Sequence, residues 1–197
     1  MKPFQLVIAG FISVLLLLLV ILTLSLVGGY NRLVDLDESL DASYAQVFNR
    51  LEQRHDTINQ MVATISGLQE HEREIYELII SARLAYADAI KTGDIDQLAE
   101  ADALESIAIS QLLVAIEDNP MITVSSAFNG LLDTIYSMES TLSVARRDYN
   151  QAVLAYNQNA RRFPGLIFVS LFGFESRVAY WKIDEGKTDV PEISFTN

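Results

Sequence analysis

The sequence predicts an all-helical protein, in which an N-terminal transmembrane helix is followed by an antiparallel four-helix bundle with two long and two shorter helices. Three observations support this prediction. The run from Phe4 to Val27 contains no charged side chain, and beyond it apolar side chains recur at the three- and four-residue steps of helices. Pro120 is the only proline between Tyr30 and Phe163, and no apolar–polar alternation between turn residues indicates a strand.

Residues 1–29 are interpreted as a transmembrane anchor. About 20 apolar residues cross the hydrocarbon core of a bilayer, and this run is long enough, with Lys2 before it and Gly28-Gly29 after it. A secretory signal peptide is the alternative, but its apolar region has about 7–15 residues and is followed by a small-x-small cleavage site. The run here is longer and ends in a poor cleavage site. We therefore expect the rest of the chain to be held at a membrane surface.

Residues 30–163 are predicted to form the bundle, with helices over about 30–66, 68–91, 95–117 and 125–163. Gly67, Gly93 and Pro120 interrupt the helical pattern and mark the three connections. In the first and fourth helices the apolar stripe repeats about every 3.5 residues, which favours the shallow left-handed packing of a coiled coil. The stripe of the fourth helix comprises Phe128, Ile135, Leu142, Tyr149, Tyr156 and Phe163.

The long helices have predicted lengths of about 55 Å and the shorter pair about 35 Å. Short connections make successive helices alternate in direction, so the first leaves the membrane and the fourth returns to it. About 20 Å of the long pair should then lie uncovered near the membrane. Because exposed apolar stripes bind partners, we expect a homo-oligomer with Leu40, Tyr44, Tyr149 and Tyr156 at the contact between subunits.

The chain after the fourth helix is predicted in two parts, an apolar membrane-proximal segment at 164–183 and an acidic flexible tail at 184–197. Between positions 166 and 174 only Ser170 and Gly173 are not apolar, and the run is too short to span a bilayer. It follows an arginine pair that can bind anionic headgroups. We expect the bilayer to be contacted by Arg161, Arg162, Phe168, Phe172 and Phe174. In the alternative, the arginines only stabilise the helix C-terminus and the phenylalanines pack on the bundle.

Composition excludes several functions. The formal net charge of −12 argues against nucleic acid as a partner, and the absence of cysteine excludes disulfides, thiol catalysis and cysteine-bound metals. The spacing Glu52-x-x-His55 is typical of di-iron helical bundles. The motif has no second copy, because the residue three positions before His71 is Leu68 and not a glutamate. We therefore predict no catalytic residue, no metal site and no cofactor.

Arg54 lies on the apolar stripe of the first helix and has two interpretations. Its stem packs along the bundle edge while its guanidinium reaches water. Alternatively, it forms a buried ion pair with an acid of the second or fourth helix, which fixes the helix register more than it adds stability. Asn150, Asn157 and Asn159 can cross-link helices or line an oligomer contact, and at an exposed helix surface they would do neither.

Several motifs resemble those of one known family. They are Tyr30-Asn-Arg-Leu-Val-Asp-Leu-Asp-Glu, Arg54-x-Asp-x-Ile58 followed by Met61-Val62, and Val144-Ala-Arg-Arg-x-Tyr-Asn-x-Ala-Val followed by Tyr156-Asn, Arg162-Phe-Pro and Leu171-Phe-Gly-Phe. Together they are similar to the LemA family over nearly the whole chain. The resemblance implies a bacterial single-pass membrane protein with a helical-bundle domain and no established enzyme activity. Some relatives are associated with forming internal membranes or organelles.

Two functions follow from these features. The first is a membrane-anchored helical scaffold that self-associates and organises or shapes membrane. The alternative is an accessory module that docks a partner protein or peptide at the envelope membrane. We expect the chain in the bacterial inner (cytoplasmic) membrane. Lys2 precedes the anchor and only Arg32 follows it closely, amid acids, so the positive-inside rule predicts a cytoplasmic N-terminus and a bundle outside.

Overall fold

The computed structural model describes residues 3–64, 73–118 and 126–182, and these form five α-helices. The helices are α1 (Pro3–Thr64), α2 (Arg73–Thr92), α3 (Ile95–Asp118), α4 (Ser126–Ala160) and α5 (Gly165–Phe172). The described residues contain no β-strand, so the predicted all-helical class is confirmed. The predicted connections around Gly67 and Pro120 and the predicted acidic tail at 184–197 lie outside the described residues.

The apolar N-terminal run and the helix that follows it are one continuous helix, α1. Its large apolar side chains from Phe11 to Leu24 are half or more exposed. Within the described residues, α1 is the one helix that is long and apolar enough to cross a membrane. An apolar surface of this length is unfavourable in water, and this is the property expected of a membrane anchor.

The chain divides into two compact units. Unit 1 comprises Met1–Ala42 and Gln151–Val178, and unit 2 comprises Ser43–Asn150 and Ala179–Asn197. Both α1 and α4 contribute residues to each unit, whereas α5 belongs to unit 1 and both α2 and α3 belong to unit 2. The two long helices therefore have different partners in the two units.

Unit 2 has a hydrophobic core to which four helices contribute. Its buried members are Ile58 and Met61 of α1, Ile79 and Ala82 of α2, Ala108, Ile109 and Leu112 of α3, and Ile135 of α4. Complete burial of one large aliphatic side chain contributes about 1.5–3 kcal/mol. Burial of the shared cluster therefore stabilises the association of the four helices.

The connection between α2 and α3 consists of Gly93 and Asp94. Gly93 has a φ of 66°, in the left-handed region, and its N–H donates to the carbonyl of Ala89, which closes the end of α2. The Asp94 carboxylate accepts hydrogen bonds from the N–H groups of Asp96 (2.8 Å) and Gln97 (3.1 Å). Asp94 is thus the N-cap of α3.

In unit 1, α5 packs against α1 at Gly29. A Cβ atom at Gly29 would lie 2.7 Å from Pro164 Cγ and 3.1 Å from Phe168 Cε2, so only glycine leaves room for these two rings. Gly28, by contrast, has no neighbour within 4 Å of such an atom. The close approach buries Phe168, which is 6% exposed. Gly29 is therefore the position that admits α5.

The stretch predicted as a membrane-proximal segment at 164–183 contains α5 and, in its described part, a non-helical stretch at 173–182. One expectation about this part of the chain is wrong. The stripe expected to lie uncovered is buried within unit 1, at Leu33, Leu40, Val153 and Tyr156. The non-helical stretch contributes to this cover, since the Tyr156 hydroxyl donates to the carbonyl of Glu175 at 2.9 Å.

Candidate functional site

The predicted membrane-contact phenylalanines lie in unit 1, in or just after α5. Phe168, Phe172 and Phe174 each pack against the ring of Tyr30, with centroid distances of 5.7, 5.0 and 6.1 Å. Phe168 is buried, Phe174 is half-buried and Phe172 is 60% exposed. The three rings thus belong to one aromatic cluster around Tyr30, and the ring of Phe172 is in addition largely exposed at the surface.

The exposed side of α5 is apolar. Its exposed large side chains are Leu166, Ile167, Leu171 and Phe172, and Phe163 is exposed just before the helix. A helix that packs on protein with one side normally presents polar residues on the other. Here the exposed polar residues are Ser170 in the helix and Arg161 and Arg162 ahead of it. The exposed side of α5 therefore forms an apolar patch beside two cations.

A buried ionic network around Arg54 lies in unit 2. The Arg54 side chain is completely buried, and its guanidinium donates to Asp102 Oδ1 (2.6 Å), Glu105 Oε2 (3.1 Å) and Glu139 Oε1 (2.6 Å). Ser106 Oγ accepts a further hydrogen bond at 3.1 Å. Burial lowers the pKa of Arg54, but its three carboxylate neighbours outweigh burial, so this pKa lies above its ordinary value. Arg54 is therefore a permanent cation in the interior.

Asp102 links this network to two other elements. Its Oδ1 atom also accepts a hydrogen bond from Arg146 Nη2 of α4. Its Oδ2 atom accepts one from Trp181 Nε1 at 3.2 Å. Asp102 itself is 1% exposed. One buried carboxylate of α3 thus joins α1, α4 and the non-helical stretch, and removing it would leave two arginines without their shared partner.

His55 and Tyr86 form the edge of the network. His55 Nδ1 lies 2.8 Å from Glu105 Oε1, and the imidazole stacks on the Tyr86 ring with a centroid distance of 4.6 Å. The Tyr86 hydroxyl is buried, and no hydrogen-bond partner for it occurs among the described residues. Burial, together with the nearby Glu105 carboxylate, raises the pKa of Tyr86 well above its ordinary value. Tyr86 is therefore neutral at physiological pH.

The sequence located Arg54 but missed most of its partners. An acid of the second or fourth helix was expected, and Glu139 of α4 is one such partner. The other two acids belong to α3, at Asp102 and Glu105. A signal existed, because both acids lie on the buried stripe of α3 at steps of three and four residues, in the series Leu98, Asp102, Glu105, Ile109 and Leu112.

A second arrangement involves a Tyr-Asn pair of α4 in unit 1. The Asn157 side chain donates from Nδ2 to the Val178 carbonyl (2.9 Å) and accepts at Oδ1 from the Val178 N–H (2.8 Å). The preceding Tyr156 donates to the Glu175 carbonyl. All these contacts are to backbone atoms of the non-helical stretch. The amide of Asn157 thus satisfies both backbone groups of Val178, which no helix satisfies at this position.

Unit 2 contains the same arrangement seven residues earlier. Asn150 Oδ1 accepts from the Trp181 N–H (2.8 Å), and Asn150 Nδ2 donates to the Trp181 carbonyl (3.0 Å). The Tyr149 hydroxyl donates to the Ala179 carbonyl at 3.1 Å. Asn150 and Asn157 therefore bind the non-helical stretch at 173–182 of the same chain. They were expected to cross-link helices or to line an oligomer contact.

The residues predicted at a subunit contact serve contacts within the chain. Leu40, Tyr149 and Tyr156 are buried, and Tyr44 is half-buried with its ring 6.2 Å from that of Tyr149. A side chain that is buried within one chain is not available to a second copy while that arrangement persists. The self-association of the chain stays a prediction, but in this structure these four residues do not provide an exposed surface for it.

Unit 2 also carries a groove of about 430 Å³ between α1 and α4. Its lining is mainly polar and includes Arg50, Gln53, Thr141 and Asp148, with Val144 as its large apolar member. The described residues contain no cluster of three or more acidic or histidine side chains that could hold a metal ion. The groove thus offers hydrogen-bonding groups and two opposite charges for a polar ligand.

Comparison with known proteins supplies the family. The model of the LemA family matches residues 43–195, which is more than half of the chain. A comparison with curated proteins finds no match. The match includes the Arg54 network and both Tyr-Asn pairs. The chain belongs to the LemA family.

Proposed function

We propose that this protein is a membrane-anchored helical scaffold that self-associates and organises or shapes membrane. The observation that carries the proposal is the apolar exposed side of α5, packed against Gly29 and Tyr30 where the apolar run of α1 ends. The proposal includes no enzyme activity and no cofactor. Its partners are the lipid bilayer and further copies of the chain.

The geometry of unit 1 supports a second contact with lipid. If the exposed apolar run of α1 spans the bilayer, Tyr30 lies at the membrane–water interface, where tyrosine is enriched. α5 then lies at the same level, because Phe168 and Phe172 pack on Tyr30. A short apolar helix at this depth displaces headgroups, and basic residues beside it add about 1 kcal/mol each near anionic lipid. Arg161 and Arg162, shortly before α5 in the chain, are such basic residues.

The proposal extends to topology. We assign α1 to α4 an antiparallel four-helix arrangement, supported by their common hydrophobic cluster and by the two-residue connection between α2 and α3. We also assign the N-terminus to the cytoplasm and the helical domain to the outer side of the inner membrane. The support for this orientation is the position of Lys2 before the apolar run.

The lipid contact of α5 is testable with one label. The chain has no cysteine, so a Phe172→Cys variant carries a single site for an environment-sensitive fluorophore. In proteoliposomes we expect its emission to shift to the blue and to be quenched by lipids with a nitroxide near the headgroup. Gln111→Cys, at an exposed position of α3, is the matched control and should show neither effect. A Phe172 label that behaves like the Gln111 label would reject the membrane contact.

The accessory module remains the second candidate, and the polar groove between α1 and α4 favours it. Light scattering of the detergent-solubilised full chain separates the two functions. A homogeneous particle of several chains supports the scaffold, and a monomer supports a module that binds another protein. If the chain is such a module, the larger side chain of Gln53→Trp should occupy the groove and abolish binding of the partner protein without changing helicity.

A further inference from the structure

The stretch around Trp181 is bound in unit 2 as a non-helical peptide. The Trp181 side chain is 4% exposed and its ring lies edge-on to Tyr149 with a centroid distance of 6.3 Å. Its indole N–H donates to Asp102 Oδ2, and its backbone N–H and carbonyl both bond to the Asn150 amide. Tyr149 binds the Ala179 carbonyl. These groups are called the Trp181 site below.

The chemistry of this site defines what it accepts. The Asn150 amide and the Tyr149 hydroxyl bond to backbone atoms, so these hydrogen bonds require a main chain with free N–H and C=O groups and no particular side chain. Asp102 is a buried acceptor, which requires an N–H donor at the tip of the bound side chain, because a buried carboxylate oxygen without a donor costs free energy. The aromatic edge of Tyr149 favours a large ring. A non-helical segment with a tryptophan meets all three conditions.

We propose that the Trp181 site also binds the residues around Trp181 of a second copy. Neighbouring chains then exchange the non-helical stretch at 173–182. The inference deepens the proposed function and rests on it, because it names how copies of the scaffold join. The contacts made by a foreign segment are the same as those made by the chain's own, so exchange loses no interaction at the site.

Two features make this exchange accessible. The stretch at 173–182 contains no helix, and its contacts at Glu175 and Val178 are to α4 side chains that a second copy also carries, so they exchange together with those of Trp181. The stretch begins at Gly173, whose φ of 77° is in the left-handed region. A glycine there allows the chain to change direction with little strain. Anchoring in a bilayer also concentrates the copies, and a higher effective concentration favours contacts between chains over contacts within one chain. Exchange should therefore increase with the density of the protein in the membrane.

The experiment uses the single tryptophan of the full chain as its reporter. The donor variant is Asn150→Ala, in which Trp181 has lost the amide that binds its backbone. The acceptor variant is Trp181→Ala, which has no tryptophan emission and whose own segment no longer donates an indole N–H to Asp102, so the indole of a second copy can take that place. The control acceptor carries both substitutions and therefore also lacks the Asn150 amide that binds the backbone of the segment. Donor and acceptor are reconstituted together in the same liposomes at increasing ratios.

We expect the donor alone to emit at longer wavelength than the wild type, and the acceptor to reverse this shift with saturation near one acceptor per donor. The control acceptor should leave the emission unchanged. No shift with the acceptor, or an equal shift with both acceptors, would overturn the exchange. A donor that already emits like the wild type would also overturn the proposal, because the binding of the segment would then not depend on the Asn150 amide through which a second copy is recognised.

The failure of this inference is distinguishable from failure of the scaffold function. Light scattering of the solubilised wild type measures self-association without reference to Trp181. An assembled wild type combined with no shift would mean that copies join elsewhere. A monomeric wild type combined with no shift would reject both. Helicity by circular dichroism, which should stay near the wild-type value, establishes that the variants are folded.

Discussion

Units 1 and 2 use the same two long helices but stabilise them by different physical means. In unit 2, α1 contributes Arg54 to a buried network of two arginines and three carboxylates. In unit 1, α1 contributes Gly29 and Tyr30 to a cluster of aromatic rings. Ionic hydrogen bonds are directional, and a wrong helix register would leave a charge unpaired in the interior. Contacts between aromatic rings tolerate small shifts of helix register, and their apolar surfaces are compatible with a lipid environment.

The Tyr-Asn pairs sharpen this comparison, because both units contain one. Asn157 of unit 1 and Asn150 of unit 2 make the same two hydrogen bonds to the backbone of the C-terminal stretch. Among the described residues, a charged group, Asp102, also binds the stretch in unit 2. The shared device holds the main chain, and the additional carboxylate provides side-chain specificity.

The largest expected effect is that of breaking the ionic network. Arg54→Met keeps an unbranched side chain but removes the cation that three carboxylates share, two of them deeply buried, while Asp102 still contacts Arg146. Breaking a buried ion pair in this way costs about 3–5 kcal/mol. Arg50→Met, one turn earlier at an exposed position, is the matched control and should change the free energy of unfolding by less than about 0.5 kcal/mol. Chemical denaturation in detergent, followed by circular dichroism, compares the two.

The aromatic cluster of unit 1 should respond to truncation according to burial. Phe168→Ala removes a buried ring and should cost about 3 kcal/mol, within the range for a buried phenylalanine. Phe172→Ala removes a mainly exposed ring from the same helix and should cost less than about 1 kcal/mol in detergent. Equal effects of the two variants would mean that the cluster does not hold α5 through Phe168.

A smaller effect is expected from one methyl group at Gly29. Gly29→Ala places a Cβ atom against Pro164 and Phe168, and such overpacking costs about 1–3 kcal/mol. Gly28→Ala meets no neighbour and should be neutral or slightly stabilising, because alanine favours helix. Hydrogen–deuterium exchange of the α5 amides should accelerate in the first variant only. Unchanged exchange in both would indicate that α5 does not depend on this close approach.

The smallest effect concerns two of the buried tyrosines, Tyr86 and Tyr156, and depends on pH. Burial raises the pKa of Tyr156 to about 12, and the Asp37 and Glu175 carboxylates add to the shift. The unfolded chain loses this proton near pH 10. Stability from the neutral hydroxyl is therefore complete below about pH 10 and declines as pH rises toward about 12.

At pH 8 the same tyrosines distinguish the units. Tyr156→Phe loses the hydrogen bond to Glu175 and should cost about 1 kcal/mol. Tyr86→Phe removes a hydroxyl that has no partner among the described residues and should cost nothing or stabilise the protein. Denaturation midpoints at pH 8 and pH 11 test both statements. A loss at pH 8 for Tyr86→Phe would show that its hydroxyl is satisfied.

Local patterns in the sequence were sufficient for the helices and for the unusual position of Arg54. The apolar steps of three and four residues identify buried residues such as Leu33, Leu51 and Leu142, because helix periodicity alone determines which side chains share a face. The same rule would have found Asp102 and Glu105 if acids on a buried stripe had been treated like Arg54. The phenylalanines after the fourth helix were recognised as one group, but their common partner, Tyr30, was not.

The sequence by itself determined the all-helical class, the apolar run and the buried stripes, because these depend on residues within a few turns of one another. Tertiary structure decided which charges meet Arg54, since Asp102 and Glu105 lie 48 and 51 residues away and pair with it only when α1 and α3 pack together. It also decided the position of the C-terminal stretch. A non-helical segment has no periodic pattern, so its partners, Asn150 and Asn157, are defined only by the surface that α4 presents in the folded chain.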